Sequence, residues 1–213
     1  MKTKTETLLN LLSGQPVIPV LKIDRIADAV PLARALVKGG LPGIEITLRT
    51  PDALDAIRLV VNEVPDAIVG AGTILGGKHF ENAVDAGAQF IVSPGTTQEL
   101  LDVANQYDVP FLPGATTPSE IMAMREEGYE ILKFFPAEQS GGISYLKALA
   151  SPLSGMRFCP TGGVSMKNAA EYLALPNVIC VGGSWVAPDD DLAAGNWTRV
   201  EELAREAAGL ARR

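Results

Sequence analysis

Lys133 is the residue whose type and surroundings most directly indicate chemistry in this sequence. It lies within an apolar run, residues 131–135, although lysine is among the residues least often buried. Desolvation favours the neutral amine of a lysine, and the neutral amine is the form that attacks a carbonyl carbon. The run therefore predicts a nucleophilic lysine in a buried strand. A lysine whose ammonium reaches solvent at a strand end is the alternative, and Lys22 is the competing candidate.

The second feature is a polar face on the segment of residues 43–50. Side chains alternate between the two faces of a strand, so Glu45, Thr47 and Arg49 share one face. The other face is apolar and consists of Ile44, Ile46 and Leu48. If the apolar face packs against helices, the polar face points inward, where charged groups are costly unless they are paired or used. A structural ion pair is the alternative, but four strand residues span about 13 Å, which favours separate roles for Glu45 and Arg49.

Two pairs of glycines form the third feature. Gly162-Gly163 follows a strand-like run at residues 157–160, and Gly182-Gly183 follows another at residues 178–181. Glycines allow backbone N–H groups to approach an anion closely, and the loops after strands seven and eight are the common phosphate site of α/β barrels. Glycines that only form turns are the alternative. Two pairs in equivalent places indicate an anion site made of backbone amides.

A regular alternation of strands and helices must position these features. Eight β-rich runs recur, at residues 17–23, 44–48, 67–73, 90–94, 110–113, 131–136, 157–160 and 178–181. Helix-start sequences follow several runs, at residues 96–99, 117–120 and 198–201. The alternation predicts an α/β fold, a single (β/α)8 TIM barrel over residues 1–213, with an extra N-terminal helix around residues 8–12. A doubly wound open sheet is the alternative. In a barrel the active site lies at the carboxyl ends of the strands.

Composition and charge restrict the partners of the chain. Its 213 residues are 47% hydrophobic and 20% charged, and the net charge is −7. Nucleic acids and anionic membranes need a basic footprint, so neither is expected as a partner. The first residues form neither a signal peptide nor a membrane span, which predicts a cytoplasmic protein.

The scarcity of histidine and cysteine restricts the chemistry. His79 is the one histidine of the sequence, whereas a zinc site needs several His or Cys ligands and a serine or cysteine nucleophile needs a positioned base. The sequence therefore predicts no metal and no histidine-dependent catalysis, with His79 on a helix surface. Cys159 and Cys180 are expected as buried thiols, and a disulfide between them is the alternative.

Several segments together resemble one enzyme family. They are Glu45-Ile46-Thr47-Leu48-Arg49-Thr50, Gly70-Ala71-Gly72-Thr73, Ser93-Pro94-Gly95, Lys133-Phe134-Phe135-Pro136-Ala137-Glu138, Arg157-Phe158-Cys159-Pro160-Thr161-Gly162-Gly163 and Gly182-Gly183-Ser184-Trp185. In this order, over nearly the whole chain, they are similar to the 2-keto-3-deoxy-6-phosphogluconate (KDPG) aldolases. Some members of that class I family also cleave 4-hydroxy-2-oxoglutarate (KHG). The resemblance implies a homotrimer of (β/α)8 barrels, with no cofactor, that cleaves a phosphorylated keto acid to pyruvate and glyceraldehyde 3-phosphate.

The resemblance also implies a role for each matching residue. Lys133 would form the Schiff base, and Glu45 would be the general acid and base. Arg49 and Thr73 would hold the carboxylate and neighbouring oxygens of the pyruvyl part, and Thr161 would contact the hydroxyl end of the substrate. The residues around the phosphate would be Gly162, Gly163, Gly183 and Ser184. From the residues alone, a sugar-phosphate epimerase or isomerase and a non-catalytic phosphometabolite-binding protein stay open as other functions.

Overall fold

The structure is a computed structural model that describes residues 4–12 and 14–210, and its architecture is α/β. The strands are β1 (Val17–Leu21), β2 (Gly43–Thr47), β3 (Ile68–Gly72), β4 (Phe90–Val92), β5 (Phe111–Leu112), β6 (Ile131–Phe134), β7 (Arg157–Pro160) and β8 (Val181–Gly183). The α-helices are α1 (Lys4–Leu12), α2 (Ala29–Lys38), α3 (Ala53–Glu63), α4 (Gly77–Asp85), α5 (Gln98–Ala104), α6 (Pro118–Glu126), α7 (Gly142–Ala150), α8 (Ala169–Leu173), α9 (Asp189–Ala194) and α10 (Trp197–Ala208). Strand and helix alternate, as the sequence predicts.

Six of the strands form one parallel sheet in the order β5-β4-β3-β2-β1-β8, and β6 pairs in parallel with β7. Isolated parallel bridges connect this pair to the sheet. Gly114, after β5, is bridged to Lys133 in β6, and Thr161, after β7, is bridged to Gly182 in β8. Because the strands run in the same direction, the loops that follow them meet at one end of the fold.

The alternation along β2 separates its helix-side residues from its interior residues. Ile44 and Ile46 are fully buried in the main hydrophobic core, together with residues of α2 and α3. Glu45 and Thr47 instead line a cavity that also contains Lys133. The predicted division of this strand into an apolar and a polar face is therefore confirmed.

A second, smaller core lies on the interior side of the strands. Leu8 and Leu12 of α1 pack in it against residues that include Ile18 of β1 and Ile131 of β6. Phe90, at the start of β4, belongs to the same cluster. The predicted N-terminal helix is therefore present, and it shares this smaller core with residues of several strands. Both cysteines also lie here as buried thiols.

One helix start follows the predicted chemistry, because Thr117 forms a complete capping box with Glu120 at the start of α6. The predicted cap at Thr96 is wrong by one residue: Thr97 caps α5 by accepting from the Leu100 N–H, while the Thr96 hydroxyl donates to the Gly114 carbonyl. The predicted start at residue 198 is wrong, because the Asn196 side chain accepts from the Arg199 N–H and α10 begins two residues after the loop glycine. His79 lies exposed on α4, as predicted.

The last strand is also displaced from its predicted position. Residues 178–181 were expected to form it, whereas β8 is Val181–Gly183. The earlier residues contribute only an isolated bridge between Val178 and Phe158. The shift places Gly182 and Gly183 within the strand itself. Glycine is needed at both positions, because the Thr161 side chain and the Trp185 ring occupy the space that a side chain at Gly182 and Gly183 would take.

Residues 4–12 and 14–210 contain neither a membrane-spanning helix nor a cluster of metal ligands. Among these, no helix combines the length and apolar character needed to cross a membrane. In the same part of the chain, His, Cys, Asp and Glu side chains do not gather in groups of three or more that could hold a metal ion.

Candidate active site

The centre of the site is a buried ion pair between Lys133 on β6 and Glu45 on β2. The Lys133 Nζ lies 3.1 Å from Glu45 Oε1 and 3.4 Å from Oε2. Lys133 is 5% exposed and Glu45 is 3% exposed. A pair so withdrawn from water is costly to bury and is retained in proteins where its charges are needed.

Lys22, the competing lysine, has a different environment. Its side chain is 47% exposed, and its Nζ lies 2.7 Å from Asp24 Oδ1. It lines a separate cavity beside Arg25 and Asp28, away from Glu45. The structure therefore gives Lys133, and not Lys22, the buried environment that the sequence argument required.

A cavity of about 290 Å³ opens above the ion pair. It brings together five of the site residues predicted from the sequence, namely Glu45, Arg49, Thr73, Lys133 and Thr161. Four further residues complete its wall, namely Val20, Thr47, Pro94 and Phe135. Thr47 shares the face of Glu45 and Pro94 lies two residues after β4, so their positions in the sequence carried a signal. Phe135 has its ring centroid 5.7 Å from the Lys133 Nζ, close enough for a cation–π contact.

Glycine at position 72 makes room for the Glu45 carboxylate. Gly72 pairs with Thr47 across β2 and β3. A Cβ atom on Gly72 would lie 2.0 Å from Glu45 Oε1 and 2.6 Å from its Cγ, far inside van der Waals contact. The absence of a side chain at Gly72 is therefore what allows Glu45 to reach Lys133.

Arg49 is held at the rim of the cavity by Thr47. The Thr47 hydroxyl donates to the Leu21 carbonyl at 2.7 Å and accepts from the Arg49 Nε at 2.9 Å. The guanidinium is exposed and does not fold back onto Glu45, which pairs with Lys133 instead. This arrangement supports the separate roles that strand spacing suggested for Glu45 and Arg49.

Thr73 adopts a backbone conformation that few residues tolerate. Its φ is +60°, and among the described residues no other non-glycine residue has a positive φ. A β-branched residue in the left-handed region is strained by about 1–3 kcal/mol, and such strain concentrates at functional sites. Thr73 directly follows β3, and it lines the cavity.

A second cavity, of about 160 Å³, continues from the first. The two share Val20, Arg49, Phe135 and Thr161 in their walls. The far end of the second cavity is formed by the remaining predicted residues, together with two neighbours: Gly162, Gly163, Val164, Gly182, Gly183 and Ser184. All nine predicted site residues thus line one elongated cleft.

The backbone at the far end is arranged to present N–H groups. Gly162 and Gly163 have φ of +98° and +75°, a conformation that glycine adopts at no steric cost. Among the hydrogen bonds of residues 4–12 and 14–210, none has the N–H of Gly162 or Gly163 as its donor. Successive amides of this kind form concave anion sites, and Arg49 is the one cation of the described residues in this cavity wall.

Known proteins resemble this chain over nearly its whole length. Residues 8–203 match the sequence profile of the aldolases described as "KDPG and KHG aldolase". The KHG/KDPG aldolase of Escherichia coli K12 is 49% identical over 206 residues, which are 97% of this chain and 95% of that protein. The 2-dehydro-3-deoxy-phosphogluconate aldolase of Dickeya dadantii is 49% identical over 207 residues, 97% of each chain.

A solved structure of KDPG aldolase from Legionella pneumophila, with pyruvate captured as a covalent carbinolamine intermediate, superposes with a TM-score of 0.91. The two sequences are 45% identical, and the match covers 93% of this chain and 97% of the Legionella chain. Sequence profile, relatives and fold agree over nearly the whole length. The chain therefore belongs to the KDPG and KHG aldolase family.

Proposed function

We propose that this protein is a class I aldolase that cleaves 2-keto-3-deoxy-6-phosphogluconate to pyruvate and glyceraldehyde 3-phosphate through a Schiff base on Lys133. Cleavage of 4-hydroxy-2-oxoglutarate to pyruvate and glyoxylate is a second activity of the same site. The observation that carries the proposal is a buried lysine 3.1 Å from a buried carboxylate at the base of a cleft. Its relatives are named for these two substrates.

Formation of the imine uses Lys133 and Glu45 as a proton-exchanging pair. Glu45 takes a proton from the Lys133 ammonium, and the neutral amine adds to the C2 ketone. The carbinolamine hydroxyl then accepts the proton from Glu45 and leaves as water. The product is an iminium on Lys133 beside an ionised Glu45.

Cleavage and release use the same carboxylate. Glu45 removes the C4 hydroxyl proton, the C3–C4 bond breaks, and its electron pair passes into the iminium to give an enamine while the aldehyde leaves. Glu45 returns its proton to C3, and water hydrolyses the iminium to pyruvate and free Lys133. The covalent route divides one unfavourable carbanion step into easier ones.

The remaining residues of the cleft bind the two ends of the substrate. The Arg49 fork matches the geometry of the carboxylate, and Thr73 lies beside the same end of the cleft. Thr161 borders both cavities and contacts the hydroxyl part of the substrate. The phosphate is bound by backbone N–H groups and one hydroxyl, from Gly162, Gly163, Gly183 and Ser184.

Trapping with borohydride tests the covalent step directly. Incubation with pyruvate and borohydride should add the mass of the reduced adduct to wild-type protein, and peptide mapping should place it on Lys133. Lys133→Met should lose both the adduct and pyruvate release in a coupled assay. Lys22→Met is the matched control and should retain both, because Lys22 lies in a separate, exposed cavity. Pyruvate release without an adduct on Lys133 would contradict the covalent mechanism. Protein that binds the keto acid but neither releases pyruvate nor forms the adduct would be an epimerase, an isomerase or a binding protein.

The assembly and location complete the proposal. The proposed fold is a single domain in which eight strands close into a barrel, and the bridges of Gly114 to Lys133 and of Thr161 to Gly182 support this closure. The protein acts as a cytoplasmic homotrimer, as the family resemblance implies. Light scattering on the purified protein measures the oligomeric state, and a monomeric mass would contradict the trimer.

A further inference from the structure

Glu138 and Tyr172 form a hydrogen-bonded pair behind the glycine end of the cleft. Glu138 follows β6, and Tyr172 lies on α8 with 0% of its surface exposed. The Tyr172 hydroxyl donates to Glu138 Oε1. Neither residue belongs to the wall of the two substrate cavities. The proposed mechanism therefore leaves a buried phenol and a carboxylate without a role.

The side chain of Glu138 packs directly against Gly163. A Cβ atom on Gly163 would lie 2.5 Å from Glu138 Cγ and 2.7 Å from its Cβ. The contact occurs where Gly163 has a positive φ of +75°, so Glu138 occupies the space that a side chain on Gly163 would take. The carboxylate end of Glu138 is then directed to Tyr172 and away from the cleft.

Three successive carbonyl groups of this loop accept hydrogen bonds from the protein. Thr161 O accepts from the Ala137 N–H at 2.8 Å, and Gly162 O accepts from the Glu138 N–H at 3.1 Å. Gly163 O accepts from Asn168 Nδ2 at 3.2 Å. The C=O and N–H of one trans peptide point in opposite directions. Because the Thr161 and Gly162 carbonyls face residues 137 and 138, we expect the N–H groups of Gly162 and Gly163 to point to the other side, where both glycines line the cleft.

We infer that Glu138 and Tyr172 are positioning residues for the phosphate end of the substrate. By fixing Glu138, the Tyr172 hydroxyl holds Gly162 and Gly163 in the conformation that presents their amides. The inference rests on the proposed function, because it requires a phosphorylated substrate in this cleft. Burial, followed by the hydrogen bond to Glu138, raises the pKa of Tyr172 above its ordinary value of about 10. The Tyr172 hydroxyl therefore stays a donor into the alkaline range.

Comparison of two ligands separates the phosphate end from the lysine end. In Tyr172→Phe, the KM for the phosphorylated keto acid should rise about tenfold with kcat little changed, since a hydrogen bond to a charged group contributes at least this much. Half-saturation by pyruvate in borohydride trapping should stay at the wild-type value, because pyruvate has no phosphate. Glu138→Gln should give a smaller rise in KM, since the amide oxygen can still accept from Tyr172.

Tyr129→Phe is the matched control for removal of a buried tyrosine hydroxyl. Tyr129 is 6% exposed, and its hydroxyl has no partner among the described residues. This variant should show wild-type KM values, and thermal melting checks that each variant is folded. An unchanged KM in folded Tyr172→Phe, or an equal loss for both ligands, would overturn the inference. Wild-type protein that neither releases pyruvate nor forms the adduct would overturn the proposed function instead.

Discussion

Gly72→Ala tests whether the site depends on the close approach of Glu45 to Lys133. The added Cβ would lie 2.0 Å from Glu45 Oε1, whereas ordinary contact begins at 3.4 Å. Oε1 must therefore move by about 1.4 Å, which lengthens its 3.1 Å contact with Lys133 Nζ to as much as about 4.5 Å, beyond hydrogen-bonding distance. The backbone of Gly72 has an ordinary negative φ and accepts alanine.

The expected effect of Gly72→Ala is a loss of rate larger than its loss of stability. A displacement of about 1 Å in a reacting group lowers the rate by about 10²-fold, so kcat should fall by this order. The Glu45 side chain must shift away from the new methyl group, and overpacking of this kind lowers the free energy of unfolding by about 1–3 kcal/mol.

Pyruvate release coupled to lactate dehydrogenase measures kcat, and urea denaturation measures the free energy of unfolding. Gly70→Ala is the control on the same strand and face, because its Cβ would lie 2.2 Å from the buried Phe90 ring and not against a carboxylate. Gly70→Ala should lower stability more and kcat less than Gly72→Ala. A Gly72→Ala protein with wild-type kcat would refute the reasoning, since Glu45 would then not need its observed position.

Two further outcomes are expected. Glu45→Gln should lower kcat by about 10²–10⁴-fold, because an amide cannot exchange the proton; a near-normal rate of pyruvate release would assign the base elsewhere. The second concerns alkaline pH. Burial raises the pKa of Tyr129 to about 12, so its contribution to stability is complete below pH of about 10 and is lost as pH rises through the folded pKa. The free energy of unfolding should fall over this range by on the order of 1–2 kcal/mol more in wild type than in Tyr129→Phe; equal slopes in urea titrations would contradict it.

Local patterns in the sequence were sufficient to predict much of the site. Strand parity correctly placed Glu45 and Thr47 on the interior face, because alternation along a strand is a property of neighbouring residues. The apolar neighbours of Lys133 correctly indicated its burial. The same reasoning could not separate Lys133 from Lys22. Lys22 is exposed because β1 ends before it, at Leu21, and its ammonium pairs with Asp24.

Features made by distant segments could not be read from local pattern. Lys133 and Glu45 are 88 positions apart, and only the fold brings β6 and β2 to face each other across the interior. The φ of Thr73 follows from how the loop after β3 is held by its surroundings, and threonine itself disfavours that value. The N-cap of α10, Asn196, was not predicted because two capping residues, Asn196 and Thr198, compete at one helix end.

The position of α1 has a consequence for the order of folding. Leu8 and Leu12 belong to the first helix of the chain, yet the residues with which they share a core include Ile131 and Cys180. Contacts between segments so far apart in sequence form late, because a long loop must be closed before they give any stabilisation. We therefore expect α1 to dock only after the last strands are in place. Amide protection of α1 during refolding should appear together with the completed interior and not before it.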